Sequence, residues 1–326
     1  MPSGHAQHMQ HMQQETARTR STGPTGPRPL APIPFDVEAV FPELTGTARE
    51  VTLLYPRAGE PGPGDSSIGG PLLWPADEPW PMCAEPDHYK PLGAPVGPEP
   101  VAMVPVAQLY ARDVPGLVFP AGTDLLQLLW CPLVHEDDQY AANPSLHWRS
   151  AALTAADVAA GEPPRPHTAE EDYLPRPCTL SPTPAVEYPN WGMPKGLGAL
   201  LEERFEALEE ERGFCHFDVA TTQQSKIGGY PAWTQGPDWP DCAGCGARME
   251  HLLSVTGTEP GGGRWLPLDD RDPHQDPAEV PSWRAQANPA ALAAFGHGMA
   301  LGDLGGMYFF VCRTCPDTPY AHRYDC

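Results

Sequence analysis

The chain has 326 residues, enough for one large domain or two small ones with a sizeable core. Forty-four prolines and 32 glycines disfavour long helices and favour short strands and turns. A net charge of −22 repels phosphate backbones, which argues against nucleic acid and leaves neutral or basic proteins as partners. No stretch approaches about 18 uninterrupted apolar residues, so no membrane span is expected. The N-terminus lacks the basic-then-apolar layout of an export signal. Nine cysteines, four of them in two C-x2-C pairs, fit a reducing compartment such as the cytoplasm better than a disulfide scaffold.

Residues 1–34 are rich in His, Gln and Met, then in Gly, Pro and Thr, and read as a disordered tail. Val51–Tyr55 has the β-branched and aromatic character of a strand. After a Pro/Gly loop come Ile68-Gly69-Gly70, Trp74, Trp80-Pro81 and Cys83. Strands are expected at Val104–Tyr110 and Leu125–Cys131. Residues 136–190 are polar and proline-rich, with a short helix expected around Ala156–Ala160 and a solvated acidic loop at Glu170–Asp172. Leu197–Arg212 is the clear helix. Leu197, Leu200, Leu201, Phe205 and Leu208 form an apolar stripe, six glutamates cover the other face, and Gly213 suits the position after the last turn. Further strands are expected at Phe214–Val219, His251–Val255 and Met307–Cys312, and a helical turn at Pro289–Phe295.

Two stretches match at a constant offset of 159 residues. Ile68-Gly69-Gly70 matches Ile227-Gly228-Gly229, Trp74 matches Trp233, Trp80-Pro81 matches Trp239-Pro240, and Cys83 matches Cys242. Agreement at Gly, Trp, Pro and Cys implies two copies of one supersecondary unit. In each copy Gly-Gly allows a sharp turn, and the tryptophans anchor a core. The expected architecture is α+β and β-rich. A first repeat spans 35–190. The helix near 197–212 links it to, and packs across, a second repeat within 191–326.

The second copy carries Cys242-x2-Cys245 and Cys312-x2-Cys315. Two residues between thiolates let one tight turn aim both sulfurs at an ion about 2.3 Å away, so the four cysteines form a candidate zinc site. Gly246 suits a knuckle that needs positive φ. Sixty-six residues separate Cys245 from Cys312, so a larger fold must bring the pairs together. The competing readings are reduced core thiols or a redox C-x2-C pair. Against the latter, Pro240 precedes the first pair and no amphipathic helix follows it. The first copy keeps only Cys83 and Cys131. Pro86 and Val134 stand where the other two thiolates would be, but His88 and His135 lie close by. Cys83, His88, Cys131 and His135 are therefore a candidate second metal site, the alternative being a metal-free copy.

These residues carry a resemblance. Lys226-Ile-Gly-Gly-Tyr-Pro-Ala-Trp233, then Cys242-x2-Cys245 and Met249, then Gly302-Asp and Gly306-Met-Tyr-Phe-Phe-Val-Cys-x2-Cys315, resemble the bacterial YwqG-like family of unknown function. Ile68-Gly-Gly, Trp80-Pro and Gln108 resemble the same pattern, so the likeness covers roughly residues 40–326. The second copy is also similar to the zinc-binding N-terminal region of programmed cell death protein 2, a family associated with chaperoning a new ribosomal protein. Leu252-Leu253-Ser254 departs from the Leu-Leu-Gln of that family, so its activity transfers only by analogy.

Catalytic patterns are weak. His135-Glu-Asp-Asp-Gln lacks a second zincin histidine, and no Gly-x-Ser-x-Gly or phosphate loop occurs. Adjacent Cys215 and His216 would point to opposite faces of a strand. A four-thiolate zinc offers no position for water. The leading reading is a non-enzymatic, zinc-stabilised protein-binding module, chaperone-like or immunity-type. The alternative is an enzyme or small-molecule binder using a cleft between the repeats.

Overall fold

Proline and glycine punctuation divides the chain into short strands, as the composition demands. The computed structural model describes residues 26–85, 88–89, 96–136, 141–152, 163–191, 197–257, 259–275, 285–303 and 305–325. In chain order the strands are β1 (Arg49–Leu53), β2 (Arg57–Ala58), β3 (Ser67–Ile68), β4 (Met82–Cys83), β5 (His88–Tyr89), β6 (Val101–Ala102), β7 (Val104–Tyr110), β8 (Leu125–Trp130), β9 (Val134–His135), β10 (Pro144–Arg149), β11 (Cys178–Thr179), β12 (Thr183–Glu187), β13 (Lys226–Gly228), β14 (Glu250–Thr256), β15 (Gly306–Val311) and β16 (Tyr320–Asp325). The α-helices among the described residues are α1 (Val37–Val40), α2 (Leu197–Arg212) and α3 (Pro289–Ala294). The protein is α+β and strand-rich.

Two six-stranded antiparallel sheets dominate, ordered β12-β1-β13-β14-β15-β16 and β10-β8-β7-β3-β11-β2. Each contains a four-stranded meander, β13 to β16 in one and β3-β7-β8-β10 in the other. Each is completed by two strands that exchange between sheets. β1 lies beside β13 and leads into β2 at the edge of the other sheet. β11 lies beside β3 and leads into β12 at the edge of the first. Leu53 pairs Lys226, and Thr179 pairs Ser67. Register shifts fall between Pro105 and Ala107 on β7 and between His251 and Leu253 on β14.

The central strands are buried on both faces, which explains their unbroken apolar runs. From β15, Met307, Phe309 and Val311 enter a core shared by both sheets, which also holds Leu126, Leu128 and Trp130 of β8. Tyr308 and Phe310 face outward into a second cluster with Trp233, Met249, Cys242 and Cys312. On β8 the outward Leu129 joins Leu72, Trp74, Cys83 and Cys131. Period-two side-chain alternation thus places a tryptophan–cysteine cluster on the outer face of each sheet.

Several expectations need correction. Helix α2 has the expected bounds, but it does not pack across both sheets. Its Leu201, Phe205 and Leu208 bury against Val37, Phe41, Leu44, Tyr188, Phe214 and Val219. Phe41 stacks on Phe205 at 4.0 Å, and the Arg204 guanidinium sits 4.8 Å from the Phe41 ring. The apolar residues of 35–44 were the unassigned partner of the stripe, and Leu200 is left exposed. The tail reading of 1–34 fails for its last residues. Arg28 is buried, its guanidinium meets Asp269 and Asp270 at 2.9 and 2.8 Å, and its backbone N–H donates to Thr183 Oγ1. A boundary at 190/191 does not separate the sheets, because β1 and β12 belong to the sheet of the C-terminal meander. Residues 216–218 form a 3-10 turn, not a strand, with the Asp218 carboxylate accepting from the Cys215 backbone N–H. The short helix expected near Ala156–Ala160 lies outside the described residues.

Candidate metal centres

The segment Lys226–Trp233 positions the C-terminal cluster, and its residue types follow from one buried ion pair. Lys226 on β13 and Glu187 on β12 flank β1, and both side chains are fully buried. The Lys226 ammonium donates to both Glu187 oxygens at 2.9 Å. The Tyr230 and Thr222 backbone N–H groups also donate to this carboxylate. Gly228 and Gly229 have φ of +68° and +65°, and a Cβ on Gly229 would lie 2.2 Å from Glu187 Oε1. The second glycine therefore leaves room for the carboxylate. Burial pulls the Lys226 pKa down, against the attraction of Glu187. Burial and the nearby Lys226 charge hold His251 at about 3, so its ring is neutral. Its Nδ1–H then donates to Gly228 O at 2.8 Å, and Nε2 accepts from Ser254 at 3.0 Å.

The turn after Gly229 delivers Ala232 and Trp233 to the outer face. Tyr308 donates its hydroxyl proton to Ala232 O at 2.7 Å. Trp233 lies parallel to Phe310 and edge-on to Tyr308. Past Trp239 the chain forms the first knuckle. Cys242 and Ala247 are joined by Cys242 N–H to Ala247 O at 2.8 Å, Gly246 N–H donates to Cys242 O at 2.7 Å, and Gly246 has φ +71°. The second knuckle follows β15, with Cys312 N–H bonded to Pro319 O and Thr318 N–H to Cys315 O.

These knuckles bring all four predicted thiols together. The four sulfurs lie within 4.8 Å of one another. Cys245 and Cys312 are 3.6 Å apart, Cys242 and Cys315 3.9 Å. A tetrahedron with metal–sulfur bonds of about 2.3 Å has edges of about 3.8 Å. A disulfide needs about 2.05 Å, so none is formed. Backbone N–H groups of Cys315 and Thr314 pull the Cys312 pKa down to about 6, while Cys245 and Cys315 are raised beside the other thiols. Cys245 is exposed and Cys315 partly so, while Cys242 and Cys312 are buried.

The other sheet presents the second predicted cluster. Cys83 ends β4, His88 starts β5, Cys131 follows β8 and His135 ends β9. His88 pairs directly with His135 in the β5–β9 ladder. The four ligand atoms again lie within 4.8 Å of one another, and all four residues are buried. Cys83 Sγ is 3.8 Å from His135 Nε2. Hydrogen bonds from Cys131 and then His135 lower the Cys83 pKa, and Cys131 is correspondingly raised. Either cluster could hold a metal ion.

What sequence reasoning missed is the support. Glu187 lies 39 residues before Lys226 with no local pattern to mark it. It also missed a cavity of about 310 Å³ lined by Phe217, Thr221, Thr222, Trp233 and Trp265 among others, all between residues 190 and 265. No helix among the described residues is long and apolar enough to cross a membrane. Neither protein-family models nor curated proteins gave a match to this chain.

Proposed function

We propose that this chain is a non-enzymatic, zinc-stabilised protein-binding module, chaperone-like or immunity-type, built from two copies of one strand-rich unit. Zinc is held by Cys242, Cys245, Cys312 and Cys315. The observation that carries this is the convergence of two knuckles, from either side of a 66-residue stretch, at the sulfur spacing of a zinc tetrahedron. Four thiolates leave no position for water, so the metal serves the fold. The likeness of Lys226–Trp233 to the YwqG-like family belongs to the same proposal. Duplication is supported by matching meanders, by register shifts at matching places on β7 and β14, and by positive φ at both Gly69 and Gly228.

Protein binding is supported by apolar side chains left in water around the cavity that Trp233 lines. Phe217 lines the cavity yet is 70% exposed, and Trp191 is 44% exposed with its indole N–H donating to Trp233 O. Exposed aromatic groups around a concave site mark docking surfaces, and a charge of −22 favours a basic partner. The test is purification from the native host with wild type and Phe217→Asp. The reading predicts a stoichiometric protein partner that Phe217→Asp loses while remaining folded. A partner retained by that variant, or none at all, would overturn it. The cavity also favours a second reading, a small-molecule site, although its lining is not the expected cleft between repeats. A co-purifying metabolite in place of a protein would select that reading.

A further inference from the structure

We infer that Cys83, His88, Cys131 and His135 form a second zinc centre, electrically neutral and sealed inside the N-terminal half of the protein. It extends the zinc reading to the other sheet without depending on it.

Three observations carry the inference. The first is an orphan. His88 is 2% exposed, and neither of its ring nitrogens has a hydrogen-bond partner among the described residues. A buried imidazole with both nitrogens unpaired is costly, whereas coordination through one nitrogen satisfies the ring's basic atom. The ring lies edge-on to His135 at 5.6 Å, with ligand atoms of Cys83 and Cys131 inside the same 4.8 Å group. The second is the donor set. Two thiolates and two imidazoles within 4.8 Å of one another suit zinc, and the 3.8 Å from Cys83 Sγ to His135 Nε2 approximates the sulfur–nitrogen edge of about 3.6 Å implied by a tetrahedral site.

The third is charge against burial. Zinc with two thiolates and two neutral imidazoles carries no net charge. Zinc with four thiolates carries a charge of two minus. The first cluster is buried at all four residues, while the four-cysteine cluster keeps Cys245 exposed and Cys315 partly so. Each cluster therefore has the solvent access its complex requires, because a net charge sealed from water is strongly disfavoured. Cys131 and Cys312 directly follow β8 and β15, and β4 supplies Cys83 where the other half has Cys242. The remaining ligands differ because β5 and β9 pair His88 with His135 in place of a second knuckle pair.

The test is metal counting on the full chain, for wild type, Cys312→Ser and Cys131→Ser, with cobalt substitution of wild type as a readout that needs no variant. The inference predicts two zinc ions in wild type and one in each variant. In the cobalt protein, thiolate-to-metal charge-transfer absorption should correspond to six thiolates over two ions, the buried centre giving half the intensity of the other. One zinc lost by Cys312→Ser but kept by Cys131→Ser overturns this inference and leaves the proposed function standing. One zinc with the opposite pattern supports the buried centre and removes the four-thiolate site. A single cobalt ion with four thiolates overturns the inference even if Cys131→Ser fails to fold.

Discussion

Replacing Lys226 with methionine isolates the interaction beneath the Gly-Gly turn. Methionine keeps much of the volume and removes the ammonium that donates twice to Glu187 at 2.9 Å. The carboxylate would remain fully buried, held only by the backbone N–H groups of Tyr230 and Thr222. Stripping one partner from a buried pair costs about 3–5 kcal/mol, because the other charge is left without compensation. At about 2–4 °C per kcal/mol for a large domain, the melting temperature should fall by roughly 5–20 °C. Adding Glu187→Gln keeps an acceptor for Tyr230 N–H and removes the charge, so the double variant should melt above the single one. Calorimetric melts provide the assay. A single variant melting with wild type, or a double variant no better than the single, would mean that the Lys226–Glu187 pair does not stabilise the fold.

Glu259 offers a pH test in the wild-type protein. Burial pushes its carboxyl up to about 8, opposed by the Ser225 N–H that donates to Oε1 at 2.8 Å. A raised acid contributes stability that is present below its ordinary value and lost as pH rises through about 8. Glu259→Gln should flatten the fall in melting temperature between about pH 5 and 8; an unchanged slope would remove Glu259 as its source. Cys312→Ser should lower the melting temperature, and a chelator should lower it further by less in the variant than in wild type, because only the Cys83/His88/Cys131/His135 ion remains to be removed. Equal melting of both proteins in both conditions would mean that the metal is not structural. Phe41→Ala removes the ring stacked on Phe205 and should cost about 3–5 kcal/mol. Hydrogen exchange should rise across 197–212 with zinc content unchanged, whereas full protection of those amides would show that α2 does not rely on Phe41.

The sequence was most informative where chemistry is local. The C-x2-C spacing, the Gly246 knuckle and the histidines beside Cys83 and Cys131 rest on short-range geometry, and the fold brings both sets together. The strands at 104–110, 125–130, 250–256 and 306–311 were legible from their apolar runs. Strands β10, β12 and β16 were missed because edge positions tolerate the proline and charge of Pro144, Pro184, Arg323 and Asp325. Phe214–Val219 read as a strand on composition, but the Asp218 side chain captures the Cys215 N–H and closes a turn. The exchange of β1–β2 and β11–β12 between sheets leaves no local trace, since pairing over more than a hundred residues is set by the whole fold. For the same reason helix α2 gave its own bounds correctly but not its partner in 35–44.

Native mass spectrometry of the full chain from its own host, before and after alkylation under non-denaturing conditions, separates metal-held thiolates from free thiols. A zinc-bearing mass is expected, with no alkyl adducts on Cys242, Cys245, Cys312 or Cys315 until the protein is unfolded or chelated. A zinc-free mass with all four thiols modified in the native state would contradict it.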